Sequence, residues 1–413
     1  MTDSRSAVPI AAWLVVAAGG CAALHVGKLP PAIPVLQAQI GLTLPQAGFL
    51  LSFVQLAGMS LGLLVGLMAD RWGLRRSILV GLALLATGSL VGARTVSVPL
   101  LLGLRGLEGL GLLLVALPAP ALIRRLVPLQ QIAAMLGVWG AYMPIGTAAA
   151  LLLGPTVIGA GGWPVWWSGL GLAAIGLFVA VWIGVPADPS FPRVCQHPEA
   201  RSEATVVSVG ERLRLTLASP VPWLLAACFA VYSSQWLAVI GFLPKMYGDS
   251  AVSPALVAPL TALAAGINLT GNIAAGRLLT AGYTPQMILW AGYGGLAFGA
   301  WTAFSDTLAA PFGLRFMGVC LFSAVGGLVP GTLFTLAVRL APRADTVSTT
   351  VGWMQQWSSA GQFLGPPAVA LLAGRQGSWG QTWIVTGTCS FIGCLLVWWL
   401  LCRIPSNHHR TQD

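Results

Sequence analysis

The amino-acid sequence predicts an all-α membrane protein: twelve transmembrane helices arranged as two pseudo-symmetric six-helix bundles. Three observations carry that prediction. Of the 413 residues, 56% are hydrophobic and 8% charged, where a soluble protein carries roughly 25% charged residues. Twelve long apolar runs recur, each near the length of about 20 residues that crosses a hydrocarbon core about 30 Å thick. Rare residues also return in the same order at a nearly constant shift between the two halves of the chain.

The runs follow in chain order. The first, 10–33, is too long for a cleavable signal and its front end, MTDSRS, is hardly basic. It closes on LHVGKLPPAIPVL, where His25 and Lys28 are three residues apart and so share a helix face. The second, 46–68, carries the stripe Gly58, Gly62, Gly66, which lets two helices approach closely. The third is 77–94. The fourth, 98–121, holds Arg105 and Glu108, again on one face, and the fifth, 131–154, includes GVWGAYMPIGT. The sixth, 164–186, follows the turn GGW. The long polar stretch 187–220, rich in Pro, Ser and charge, reads as a passive cytoplasmic linker between halves that move against each other. The seventh run, 221–243, holds Gln235 and Trp236; the eighth, 254–276, holds Asn268 and Asn272; the ninth is 286–304. The tenth, 308–337, contains Arg315, the eleventh, 349–373, reads WMQQWSSAGQ near its start, and the twelfth is 382–402. The domain boundaries are accordingly 1–186 for one bundle, 187–220 for the linker and 221–413 for the other.

A shift of 210 superposes Trp13 on Trp223, Pro34 on Pro244, Gly66 on Gly276, Arg105 on Arg315 and Pro120 on Pro330. The GGW at 161–163 meets GSW at 377–379 at a shift of 216. Six spans therefore repeat in the same orientation, about an axis along the membrane normal. Pro34 and Pro244 mark the outer end of the first helix in each half.

With the N-terminus inside, the cytoplasmic segments hold fifteen of the 21 Lys and Arg residues and the outer loops hold Arg94, Lys245 and Arg375. Basic residues are retained on the cytoplasmic side, so both termini are expected in the cytoplasm and the protein in a bacterial inner membrane. The same scatter over short loops explains the net charge of +10 without nucleic acid. Seven cysteines form no paired framework and no metal-ligand spacing. No cofactor is expected, and no nucleophile and base stand at recognisable spacing, so the chain is not read as an enzyme.

The loop after the second span reads GLMADRWGLRR, which resembles the signature G-x-L-x-D-R-x-G-x-R-R of the major facilitator superfamily. The fourth span reads LRGLEGLG and is similar to that family's R-x-x-Q-G-x-G, with Glu108 where Gln is usual. The resemblance covers the whole chain. It implies a secondary transporter working by alternating access, in which Gly66, Asp70, Arg71, Gly73, Arg75 and Arg76 form the cytoplasmic gate motif. In the second half the motif has decayed to GRLLTAGYTP and the acid is gone. HVGKLPPAIPVLQAQIGLTLPQAGFLLS is in turn similar to the first two spans of the cyanate and nitroimidazole branch, which has Arg followed by Pro where this chain has Lys28 and Leu29.

Ionisable residues inside spans are costly and normally face a polar cavity or one another. A helix count from Ile10 puts Lys28 close to the outer boundary, where it either snorkels or meets an incoming anion. His25 lies a turn deeper and either bonds a backbone carbonyl or lines the site. Arg105 and Glu108 form an ion pair or divide the work, Arg105 meeting an anionic or polar solute and Glu108 the proton. His25, Lys28, Arg105, Gln235, Trp236, Arg315, Gln355 and Gln356 are the substrate-binding candidates; Glu108 and His25 are the proton-coupling candidates; no metal ligand is assigned. The partners implied are a small-molecule solute, protons and lipid, for a monomer. Proton-coupled uptake of a small polar or anionic organic solute is the leading expectation. An exporter of drugs or metabolites, or a scaffold or sensor that moves nothing, are the rivals.

Overall fold

The computed structural model describes residues 8–187, 208–250, 252–308, 310–343 and 346–403. In the first half, α1 (Ile10–Gly27) passes through a 3-10 turn at Pro30–Ala32 into α2 (Ile33–Ile40). Next come α3 (Leu44–Phe53), α4 (Leu56–Trp72), α5 (Leu74–Gly92), α6 (Val98–Ala116), α7 (Ala119–Leu126), α8 (Leu129–Gly140) and α9 (Tyr142–Gly184). A short α10 (Val209–Ala218) leads into the second half. That half contains α11 (Pro220–Gly248), α12 (Pro254–Gly266), α13 (Asn268–Thr280), α14 (Pro285–Phe304), α15 (Phe312–Gly326), α16 (Leu328–Arg339), α17 (Val347–Gln376) and α18 (Thr382–Arg403).

Nine helical stretches among the described residues are long and apolar enough to cross a membrane. One, Gln130–Gly184, has 55 residues and breaks at Gly162, whose φ of 80° only glycine adopts freely, so it supplies two spans. The 20 residues of α14 and the 30 of α17 complete the twelve.

One sequence expectation changes: neither Pro34 nor Pro244 ends its helix, and α11 runs past Pro244 to Gly248. The first span does not end at Pro34. Pro34 sits in the first turn of α2, where its missing N–H is no loss, and the helical path continues to Ile40. Lys28 therefore lies 12 positions short of that end, about 18 Å at 1.5 Å per residue, and not at the rim. The linker is described only at its end. Residues 188–207 lie outside the described part, but α10 is capped by Ser208, whose hydroxyl accepts from the Glu211 N–H at 3.2 Å, and it packs on α11 and α17.

The repeat is visible in the breaks. The interruption between α3 and α4 at Val54–Gln55 has its counterpart between α12 and α13 at Ile267. The interruption between α6 and α7 at Leu117 has its counterpart between α15 and α16 at Gly327. Two turns match as well, Gly73 at φ 96° and Gly282 at φ 89°. Helix pairings recur too: α1 on α9 as α11 on α17, α5 on α6 as α14 on α15, and α5 on α9 as α14 on α18.

Between the halves, α17 runs along both α3 and α4, and α12 packs on α9. At the face where the first span ends, the 3-10 turn and α2 pack against α11, and Leu29, Ile33 and Leu36 share one buried core with Ala238, Phe242 and Met246. This far face is closed. At the opposite, terminal face, α8 packs on α1, α7 and α9 of its own half, and α13 on α12, α14, α15 and α16 of the other.

Candidate functional site

Four of the sequence-predicted residues meet inside the first bundle. Lys28 leaves the end of α1 and donates to Ser89 Oγ of α5 at 2.7 Å and to Glu108 Oε1 of α6. Ser89 donates to the same carboxylate oxygen at 2.9 Å. The other oxygen, Glu108 Oε2, accepts from Arg105 Nη1 at 2.7 Å. Lys28 is 0% exposed, Glu108 1% and Arg105 2%. The snorkelling alternative for Lys28 is thereby replaced by a buried ion pair, because the span continues beyond it.

Arg105 does more than neutralise its neighbour. Its Nη1 also donates to the His25 carbonyl at 2.7 Å and its Nε to the Leu50 carbonyl at 3.2 Å. The fork therefore fastens the ends of α1 and α3, each just before a break. Trp166 Nε1 donates to the Lys28 carbonyl at 3.1 Å, and the Trp167 ring faces Lys28 Nζ at 4.7 Å, a cation–π contact. His25 is buried with Nδ1 2.8 Å from the Cys21 carbonyl, the backbone-bonded alternative. Gly88 is needed beside the cluster: a Cβ there would lie 2.6 Å from Glu108 Cγ. Sequence reasoning missed Ser89, Trp166 and Trp167. Ser89 is one of three hydroxyls in the run 77–94, and nothing distinguishes Trp166 and Trp167 among 17 tryptophans.

The second half does not reproduce this chemistry. At the shift of 210, His25, Lys28, Ser89 and Glu108 correspond to Gln235, Ala238, Gly299 and Gly318. Gly299 and Gly318 meet backbone to backbone where Ser89 and Glu108 share a hydrogen bond; a Cβ on Gly318 would lie 2.8 Å from the Gly299 carbonyl oxygen. Gln235 accepts from Ser390 Oγ at 3.0 Å and donates to the Val231 carbonyl, while Trp236 donates to Ser323 Oγ at 3.3 Å. Asn268 donates to Tyr232 and to the Ser323 carbonyl. These are bonds within the bundle.

Arg315 has the same distance to its helix break as Arg105, 12 residues to Gly327 against 12 to Leu117. Its helix starts later, however, and the preceding loop folds over it. Its guanidinium donates to the carbonyls of Ala303, Ser305, Leu308 and Ala310 at 3.2–3.4 Å and meets no carboxylate among the described contacts.

The seam between the halves is polar at mid-height. Gln55 Nε2 donates to Gln362 Oε1 at 3.0 Å, Ser52 to the Gln362 carbonyl at 3.4 Å, and the Leu63 N–H to Gln356 Oε1 at 3.0 Å. Gln355 and Gln356 are half-buried on α17. Trp353 and Trp357 gather with Trp223 of α11, ring centroids 4.7–6.1 Å apart. Of the gate motif, Gly73 makes the turn into α5 and Arg75 donates to the Trp182 carbonyl. Arg76 is exposed, and the side chains of Gly66, Asp70 and Arg71 lie outside the described residues.

Comparison with known proteins agrees with this architecture. The multidrug resistance protein Stp of Mycobacterium tuberculosis is 32% identical over 132 residues, which is 30% of this chain. The match spans about a quarter of that relative's length. Two solved structures share the fold: a bacterial homologue of the human lysosomal transporter Spinster, inward-facing and occupied, at a TM-score of 0.78 and 15% identity, covering 98% of both chains; and a D-xylose-proton symporter at a TM-score of 0.72 and 15% identity, covering 94% of this chain and 97% of that one. The profile of the Major Facilitator Superfamily matches residues 15–363. With twelve spans in two repeated bundles and that match over most of its length, this chain is a membrane transporter, not an enzyme, and belongs to the Major Facilitator Superfamily.

Proposed function

We propose that the protein couples proton movement to the uptake of a small polar or anionic organic solute by alternating access. The observation that carries this reading is the position of Glu108. Among the described side chains it is the acid buried inside a span, and it is held by two cations: Lys28 at the end of α1, and Arg105, whose other bonds reach the carbonyls of His25 in α1 and Leu50 in α3. A proton on Glu108 removes the charge that holds Lys28 and Arg105. Arg105 also fastens the carbonyls of His25 and Leu50, and the spans carrying them close the far face against the second half. Proton gain or loss at one carboxylate is thereby felt at the breaks of both spans, with His25 as the adjacent titratable group.

The solute site is assigned to the seam, where Gln355, Gln356 and the nearby tryptophans of α17 offer amide bonding and an aromatic wall. Arg105 and Lys28 act on it from one helix behind, as a positive field favouring anions; Gln235, Trp236 and Arg315 support the second bundle in the closed state. The basic loops orient both termini to the cytoplasm of an inner membrane, and residues 1–186 and 221–413 are the moving units of a monomer. The D-xylose-proton symporter that shares the fold is named for proton symport. An exporter is the second reading, favoured by the partial likeness to a multidrug resistance protein.

The test begins with a thermal-shift screen of small anions and polar metabolites against the purified protein. A stabilising solute is then offered to proteoliposomes with and without an inward proton gradient. Gradient-driven accumulation supports uptake. Gradient-driven loss from preloaded vesicles supports export, and no gradient dependence in either direction contradicts proton coupling.

A further inference from the structure

Each half ties the far end of its first span to the turn before its sixth with a tryptophan. Trp163 Nε1 donates to Gln39 Oε1 at 3.1 Å, and Trp379 Nε1 donates to Asp249 Oδ2 at 3.2 Å. Gln39 corresponds to Asp249 at the shift of 210, and Trp163 to Trp379 at 216. A neutral amide is therefore enough for this clasp. The second half nevertheless uses an acid, and adds Lys245, which donates to Asp249 Oδ1, where the first half has Val35. The charged pair exceeds what the clasp requires.

A cavity of about 200 Å³ lies at this pair, across the seam. The first half lends Gln37 and Leu44 to its wall, and the second lends Lys245, Asp249, Ser378 and Trp379. At roughly 30 Å³ for each water in the liquid, that volume holds a solute of about six non-hydrogen atoms. Both charges can be reached: the Lys245 side chain is 20% exposed and that of Asp249 41%. Lys245 has donors beyond the one given to Asp249, and each carboxylate oxygen has a second lone pair. The carbonyl ends of α11 and α17 favour an ammonium group on the same side, while α3 begins at Leu44 opposite. An anion alone would meet Asp249 and a cation alone would meet Lys245. A molecule carrying both charges meets each with its opposite. Because its wall draws on both halves, the cavity has this shape while the far face is closed, and an occupant favours that state.

We propose that this cavity binds a small zwitterion of amino-acid size, its carboxylate on Lys245 and its ammonium group on Asp249, and that the bound molecule holds the far face closed. The second part rests on the alternating-access reading above; the binding itself does not. The test reads the unfolding midpoint of the purified full-length protein with alanine, propionate or ethylammonium at equal concentration and ionic strength. Alanine should raise the midpoint by about 2 °C or more, and each single-charge compound by less than half as much. Asp249→Asn keeps an acceptor for Trp379, as Gln39 does in the first half, and should abolish the alanine shift. Lys245→Gln should abolish it too. The shift should persist in a Gly48→Cys, Ala370→Cys protein oxidised to lock the far face, since the cavity is complete in that state. No alanine shift, equal shifts with all three compounds, or a shift that survives either substitution would overturn the site. Loss of the shift in the locked protein would overturn the link to closure. The readout is binding without a gradient, so its failure is distinguishable from failure of proton-coupled transport.

Discussion

Arg105 uses its Nε and Nη1 to reach two backbone carbonyls and one carboxylate, a task for a planar fork with several fixed donors. Arg105→Lys keeps the charge but offers one point donor. The expected result is a loss of about 1–3 kcal/mol, the order of a buried group left unsatisfied, read as a lower unfolding midpoint in detergent. Solute affinity should fall with it if the field of Arg105 acts on the seam. An unchanged midpoint would show that the fork does not hold α1 and α3. At this scale the sequence was partly legible. The three-residue spacings of His25 with Lys28 and of Arg105 with Glu108 each announce a shared face. What spacing within one helix cannot announce is which face meets which, and the Lys28–Glu108 pair joins residues 80 positions apart. The depth of Lys28 is hidden in the sequence for a local reason: three prolines imitate a helix end, yet each occupies a 3-10 turn or a first helical turn where no N–H is required.

Three helix pairings recur in the two halves, but where α5 meets α6 and α14 meets α15 they cross on different chemistry. Ser89 and Glu108 meet through a hydrogen bond, whereas Gly299 and Gly318 meet through bare backbone. Gly318→Ala would set a Cβ 2.8 Å from the Gly299 carbonyl oxygen and 2.9 Å from the Ala303 nitrogen. Overpacking of this kind costs about 1–3 kcal/mol, so a thermal midpoint clearly below that of the parent is expected; an equal midpoint would mean that α14 and α15 separate freely. The repeat itself was legible from rare residues, since tryptophan, proline and arginine anchors survive where apolar positions interchange. The substitution of glycine for Glu108 was also present at the shift of 210. Its meaning emerges only when α5 and α6 are seen to cross there. Arg315 shows the converse, a matching residue whose surroundings changed because its helix begins four residues later relative to the repeat.

Over the whole molecule, the far face is sealed by the first span against α11 and by α3 against α17. Gly48 lies against Ala370, and a Cβ at Gly48 would be 3.0 Å from the Ala370 Cβ. A cysteine pair at positions 48 and 370, in a background without the seven native cysteines, should cross-link on oxidation and stop transport, with recovery on reduction. Full transport by the cross-linked protein would show that this seam need not open. Gln55→Leu should weaken the same closed state by removing the amide bond to Gln362, and cross-linking at 48 and 370 should become slower as the open state gains population; an unchanged rate would count against the amide bond as a latch. The seam was the least legible feature, because it depends on residues some 300 positions apart whose only sequence trace is an excess of glutamine and tryptophan in one span. The central claim rests on Glu108 and is tested most directly in proteoliposomes, with Glu108→Gln compared against the parent for a solute that stabilises the protein. The account predicts that solute exchange persists while accumulation driven by a proton gradient is lost; accumulation equal to that of the parent would contradict it.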